Sequence, residues 1–196
     1  MKSIHGFLVE PVGNRYNNVK QLGEKELVLN TDIFNHKYIN RQARVVSVPI
    51  NNDTNIKNGD EIIIHHNVFR RWYNQRGTEK NSSSFISENL YNIYTDQIYA
   101  VRSDNNWKPL NGYVFLQPLK NNDDFSLEQE EFIGQVVYGN ETYKKNDILG
   151  FVHSGARYEF VIDGKKLYKV NLNQITIKYE YQGNEETYNP SWAQSS

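Results

Sequence analysis

The sequence predicts an all-β protein made of two tandem small β-barrels, and three observations predict it. Aromatic residues make up 13% of the chain, with 14 Tyr against a single Met, and aromatic side chains pack better on a pleated surface than on a helix. Apolar runs are short and are separated by Asn, Asp, Gly and Lys turns, which is the punctuation of an all-β chain. The two halves of the chain also repeat one another in four blocks that keep one order, as two copies of a supersecondary unit do.

The first block is residues 7–11 (FLVEP), matched by residues 114–118 (VFLQP). The second is Arg44, Val45 and Val46, matched by Gln135, Val136 and Val137. The third is a turn feeding a strand: residues 56–60 (IKNGD) lead into 61–66, and residues 143–147 (YKKND) lead into 148–153. The fourth is the clearest, because residues 90–98 and 167–175 both read L-Y-x-[IV]-x-x-[DN]-Q-I. These blocks predict a first barrel over residues 1–104, a boundary near 105–112, a second barrel over 112–180, and a polar tail over 181–196. Helix signals are scarce. Residues 126–132 alone carry one, with Ser126 in a capping position and Gln129 completing a capping box; a short helix or a loop is expected there.

The copies differ mainly between the blocks. The first carries long segments at about 13–42 and 66–89 where the second crosses with 119–133 and 154–166, and long insertions on a scaffold are where function tends to sit. The second segment holds Phe69, Arg70, Arg71, Trp72 and Tyr73, with Arg76 close by. Arginine with aromatics is the composition of an interface, so this cluster is read as facing a subunit neighbour or a cavity, ahead of nucleic acid.

Charge and composition exclude several classes. Lys plus Arg is 22 and Asp plus Glu is 23, a net charge of -1, which draws the chain to neither nucleic acid nor an anionic membrane. Cysteine is absent, so disulfides, thiolate zinc sites and cysteine nucleophiles are excluded together. No apolar run matches a signal peptide or a membrane span, and a soluble cytoplasmic protein is expected. Neither a phosphate-binding loop, a dinucleotide fingerprint nor a metalloprotease helix is present, so no enzyme and no cofactor are predicted. His65 and His66 are adjacent and on a strand would point to opposite faces, which argues against a shared metal; the recurrence of His66 as His153 is read as structural. Asp60 and Asp147 are read as bonding backbone amides of their own turns. The run Ser82, Ser83, Ser84 lacks the surroundings of a nucleophile elbow and is read as a flexible tip.

In this order the blocks resemble the GroES-type co-chaperonins, which cap chaperonin rings. That family has a first strand, a mobile loop bearing an apolar triplet, a G-x-V-x-x-V strand, a V-K-x-G-D turn and a final D-I-L-A strand. Residues 7–11, the triplet Leu27, Val28 and Leu29, residues 43–48, 56–60 and 96–100 stand in those places. The second copy repeats all but the triplet. Lys25 and Glu26 stand where the family has paired glycines. Residues 65–70 (HHNVFR) also look like divergent members encoded by bacteriophages.

The resemblance implies two GroES-like barrels, a homo-oligomeric ring and a GroEL-like chaperonin as partner, with Leu27, Val28 and Leu29 entering an apolar groove on it. Ordering such a loop takes about 2–5 kcal/mol from the gross interaction. A ring restores the affinity, because linked sites raise avidity by roughly two to four orders of magnitude. Two alternatives stand beside this: the triplet as an ordinary buried strand, and the protein as a phage structural or virion-assembly component on the same barrel.

Overall fold

A computed structural model describes residues 2–16, 19–22, 25–28, 35–121, 129–180, 183 and 185–194. The chain divides into two compact units, Met1–Asn105 and Asn106–Ser196. In the first unit the strands are β1 (Phe7–Pro11), β2 (Val19–Leu22), β3 (Lys25–Val28), β4 (Gln42–Ser47), β5 (Glu61–Ile64), β6 (Arg71–Tyr73), β7 (Glu79–Asn81), β8 (Phe85–Ser87), β9 (Leu90–Ile93) and β10 (Ile98–Ser103). In the second they are β11 (Asn106–Pro109), β12 (Tyr113–Lys120), β13 (Gln129–Tyr138), β14 (Ile148–Phe151), β15 (Glu159–Ile162), β16 (Lys165–Asn171) and β17 (Ile175–Tyr179). Short 3-10 turns are the only helical elements among the described residues, so the protein is all-β with antiparallel sheets.

The internal repeat extends to topology and register. The first unit's main sheet runs β10-β5-β4-β1-β9-β8, and the second unit's runs β17-β14-β13-β12-β16-β15, which is the same order of equivalent strands. Both carry the same irregularities. Leu8 pairs with Ser47 and Val9 with Val45, so Val46 is the extra residue; Phe115 pairs with Tyr138 and Leu116 with Val136, so Val137 is. A second bulge falls at Tyr99 in one sheet and at Thr176 in the other. A bulge bends its strand and raises the local twist, so its recurrence gives both sheets one curvature signal.

The core repeats with the register. Val114, Leu116, Val136, Leu149, Phe151, Tyr168 and Val170 form the apolar cluster of the second unit. Their counterparts Phe7, Val9, Val45, Ile62, Ile64, Tyr91 and Ile93 are all buried in the first. Each such side chain contributes about 1.5–3 kcal/mol on leaving water, and the four equivalent central strands of each unit, β1, β4, β5 and β9 and β12, β13, β14 and β16, thereby commit side chains to the interior.

The turn before β5 and β14 is also common to both. Gly59 and Asn146 take left-handed backbone angles, φ 90° and 74°. Their amides donate to the carbonyls of Val45 and Val136 at 2.7 and 2.9 Å. The carboxylates of Asp60 and Asp147 accept the amides of Lys57 and Lys144 at 2.8 and 2.9 Å, the backbone role expected of them. Beyond the strands, His65 and Val152 donate their amides to the carbonyls of Gln97 and Gln174 at 2.9 and 3.0 Å.

Four expectations are corrected. The sheets are open: among the described residues no pairing joins β8 to β10 or β15 to β17. Closure needs continuous hydrogen bonding between the first and last strands, whereas β8 is three residues long and β17 leaves four of its five residues exposed. The short helix is absent where the chain is described, because Gln129 begins β13 and pairs with Lys120; Ser126 lies outside the described residues. Strand pairing outweighs a local capping signal there. The serine run is packed: Ser84 is buried, the Ser82 hydroxyl donates to the Val68 carbonyl at 2.5 Å, and the Asn92 amide donates to the Ser84 carbonyl at 2.7 Å. His65 and His66 share one side, as described below. In the second unit the tail is tied down, with Thr187 bridging Leu119, the amides of Lys120 and Tyr188 bonded across at 2.7 Å each, and Ala193 buried.

Candidate functional site

The two long insertions of the first unit each build a hairpin that belongs to neither main sheet. In the first insertion β2 and β3 form a two-stranded sheet of their own, pairing Val19 with Val28 and Lys20 with Leu27. Of the sequence-predicted triplet, Leu27 and Val28 thus lie on β3, and Leu29 falls outside the described residues. In the second insertion β6 and β7 pair Arg71 with Asn81, Trp72 with Lys80 and Tyr73 with Glu79. Asn74 forms that hairpin's turn, its side-chain oxygen accepting the amides of Arg76 and Thr78 at 3.0 and 2.9 Å.

The stem of the first hairpin is closed by Tyr16, which bridges Ile39 in antiparallel fashion, and both are buried. Asn40 staples the approach. Its amide donates to the Arg15 carbonyl at 3.1 Å, and its side-chain nitrogen donates to the carbonyls of Val12 and Asn14 at 2.8 Å each.

The root of the second hairpin rests on the same stem. The Arg15 guanidinium donates to the Phe69 carbonyl at 2.5 Å, the Asn81 side-chain oxygen at 2.7 Å and the Arg70 carbonyl at 3.1 Å. It also lies 5.4 Å from the Tyr91 ring centre and 5.9 Å from that of Phe85. Burial pushes Arg15 below its ordinary value and Tyr91 above its own, which is the direction desolvation gives a cation and a phenol. The next residue makes the complementary contact: the Tyr16 hydroxyl accepts the Arg71 amide at 2.9 Å, while the Arg71 guanidinium sits 4.8 Å over the Tyr16 ring and reaches Glu79 at 3.3 Å.

The sequence-predicted aromatic and basic cluster is therefore divided. Phe69 is fully buried and packs edge-on against Tyr91 at 4.7 Å. Arg70 and Arg71 are half-buried, and only Trp72 and Tyr73, at 41% and 47%, are exposed. Arg15 and Tyr16 were not legible as site residues, because their partners stand 54 and 55 positions along the chain and no motif links them.

A histidine group lies nearby in sequence. His65 ends the extended run after β5 and caps a 3-10 turn over His66–Val68, its ring nitrogen accepting the Asn67 amide at 3.0 Å. The change from strand to turn puts both rings on one side, stacked at 4.4 Å, with His36 at 5.5 Å from His66. Burial, then the charge of Arg41 and the neighbouring His65, His36 and Arg70, push His66 down to about 3. A histidine so placed stays neutral. Among the described residues, no group of three or more His, Cys, Asp or Glu side chains is arranged to hold a metal ion. Among them too, no helix is long and apolar enough to cross a membrane.

The chain matches no model of a known protein family, and a comparison with curated proteins gives no match either.

Proposed function

We propose that the chain is a co-chaperonin-like protein of the GroES type, capping or modulating a GroEL-like chaperonin ring, with Leu27, Val28 and Leu29 as the contact. The observation that carries this reading is the separate β2–β3 hairpin, inserted between β1 and β4 of one unit. An apolar segment on an autonomous hairpin can enter a partner's groove without disturbing the sheet from which it springs. The repeated strand order and bulges support the finer reading of each unit as an opened version of one GroES-like barrel. The chain then works as a homo-oligomer in the cytoplasm, the host's if it is phage-encoded, and needs no cofactor or chemistry of its own.

The second reading, a phage structural or virion-assembly protein on the same scaffold, draws on exposed apolar side chains in both units, Ile86 at 52% and Ile177 at 49% among them. Co-sedimentation with a bacterial chaperonin and nucleotide separates the two. Binding that is lost when Leu27, Val28 and Leu29 are replaced by Ser supports the co-chaperonin. No binding by folded protein, together with its recovery in purified virus particles, supports the structural role.

A further inference from the structure

The two hairpins of the first unit are anchored on the same two residues. Arg15 and Tyr16 immediately precede the β2–β3 insertion, and Tyr16 closes its stem against Ile39. The same pair holds the root of β6–β7 through three guanidinium hydrogen bonds, one bond from the Arg71 amide to a phenol, and a stacked guanidinium. Arg15 bonds both ends of that hairpin, since Phe69 and Arg70 lead into β6 and Asn81 ends β7. The anchored residues Tyr16, Ile39 and Phe69 are buried, and close-packed groups of this kind shift between discrete arrangements more readily than they deform.

We propose that Arg15 and Tyr16 form a coupling clamp, through which a change of order at the β2–β3 hairpin alters the order of the β6–β7 hairpin and the exposure of Trp72 and Tyr73. Resting on the partner-binding reading of β2–β3, this makes β6–β7 the element that responds to engagement. The guanidinium is suited to the task because its planar fork reaches three separate acceptors from three different nitrogens, Nε, Nη1 and Nη2, whereas an ammonium offers its three donors from a single freely rotating nitrogen. The phenol adds an acceptor on the neighbouring residue. A shift of the stem by a bond length leaves Phe69 and Arg70 carbonyls unpaired beneath the hairpin, so the two move together.

The test needs no chaperonin. The chain has no cysteine, so Val19→Cys with Val28→Cys, opposite one another across β2 and β3, introduces one thiol pair that can be oxidised and verified by mass. Hydrogen exchange over residues 69–82 is then compared between the reduced and oxidised forms. We expect a change of about fivefold or more, the lower end of an ordinary coupling free energy, and its loss when Arg15→Lys and Tyr16→Phe are added. Exchange over β1, β4, β5 and β9, the main sheet of the same unit, controls for folding of the variants. Equal exchange in the two redox forms, with the disulfide formed, overturns the proposal; so does a change that survives both clamp substitutions. A failure of chaperonin binding would leave this result as it stands, and the two readings fail separately.

Discussion

Asp60 and Asp147 do one job in two places, each carboxylate accepting the amide of the lysine three residues earlier, at 2.8 Å for Lys57 and 2.9 Å for Lys144. They differ in what else they touch. Asp147 also receives Lys178 from β17 at 2.9 Å. Its carboxylate thus ties the turn before β14 to the strand beside it.

That difference predicts a pH dependence. Burial by itself raises Asp147, but the hydrogen bonds from Lys178 and the Lys144 amide outweigh it and hold the carboxyl below its ordinary 3.8. A carboxylate depressed on folding stabilises the protein above its unfolded value, and that contribution is lost as pH falls through the folded value. Thermal unfolding of Asp147→Asn should show about 1 kcal/mol less stability at pH 7 and a shallower fall below pH 3.8 than the parent.

The left-handed residue of the turn makes a second prediction. A methyl group at Gly59 would meet nothing within 4 Å, so Gly59→Ala has only backbone strain to bear, about 1–2 kcal/mol. Gly59→Asn should lose less, since asparagine already occupies the equivalent position at Asn146. Urea unfolding of both variants gives the comparison, and equal losses would show that something other than the φ angle governs the site.

His66 predicts a loss on the same acid side of the pH profile, beginning at higher pH. Native His66 stays neutral down to about 3, while in the unfolded chain it takes up a proton near 6.5. Between those values the unfolded state binds more protons, so stability falls as pH drops, by at most about 1.4 kcal/mol per unit. Denaturation at pH 7.5 and 5.5 should show this loss in the parent and its reduction in His66→Asn.

Gln97 and Gln174 give a fourth prediction. Each side-chain oxygen accepts a backbone amide three residues earlier, Tyr94 and Asn171, at 3.0 Å, closing the turn that precedes β10 and β17. Gln97→Ala or Gln174→Ala should each remove about 1 kcal/mol. Faster exchange of the Tyr94 or Asn171 amide is the local signature.

What the sequence by itself determined is the repeat. The order of four short blocks was sufficient because each is governed by neighbours in the chain: alternation decides which face of a strand is buried, and a left-handed residue before Asp60 or Asp147 decides the turn. The strands of the repeated blocks, the turn carboxylates and the all-β class were therefore legible.

Contacts between distant segments were not. Whether the sheets close depends on how the first and last strands meet, and no local pattern in residues 85–87 or 175–179 records it. The capping signal at Gln129 lost to pairing with Lys120, and the alternation rule failed at His66 because the strand had already turned. Arg15 is the plainest case: an arginine in a polar stretch carries no mark of its use. Its function arises only when folding brings Phe69, Arg70 and Asn81 within reach of one guanidinium, since hydrogen bonds act over distances in space that sequence spacing does not encode.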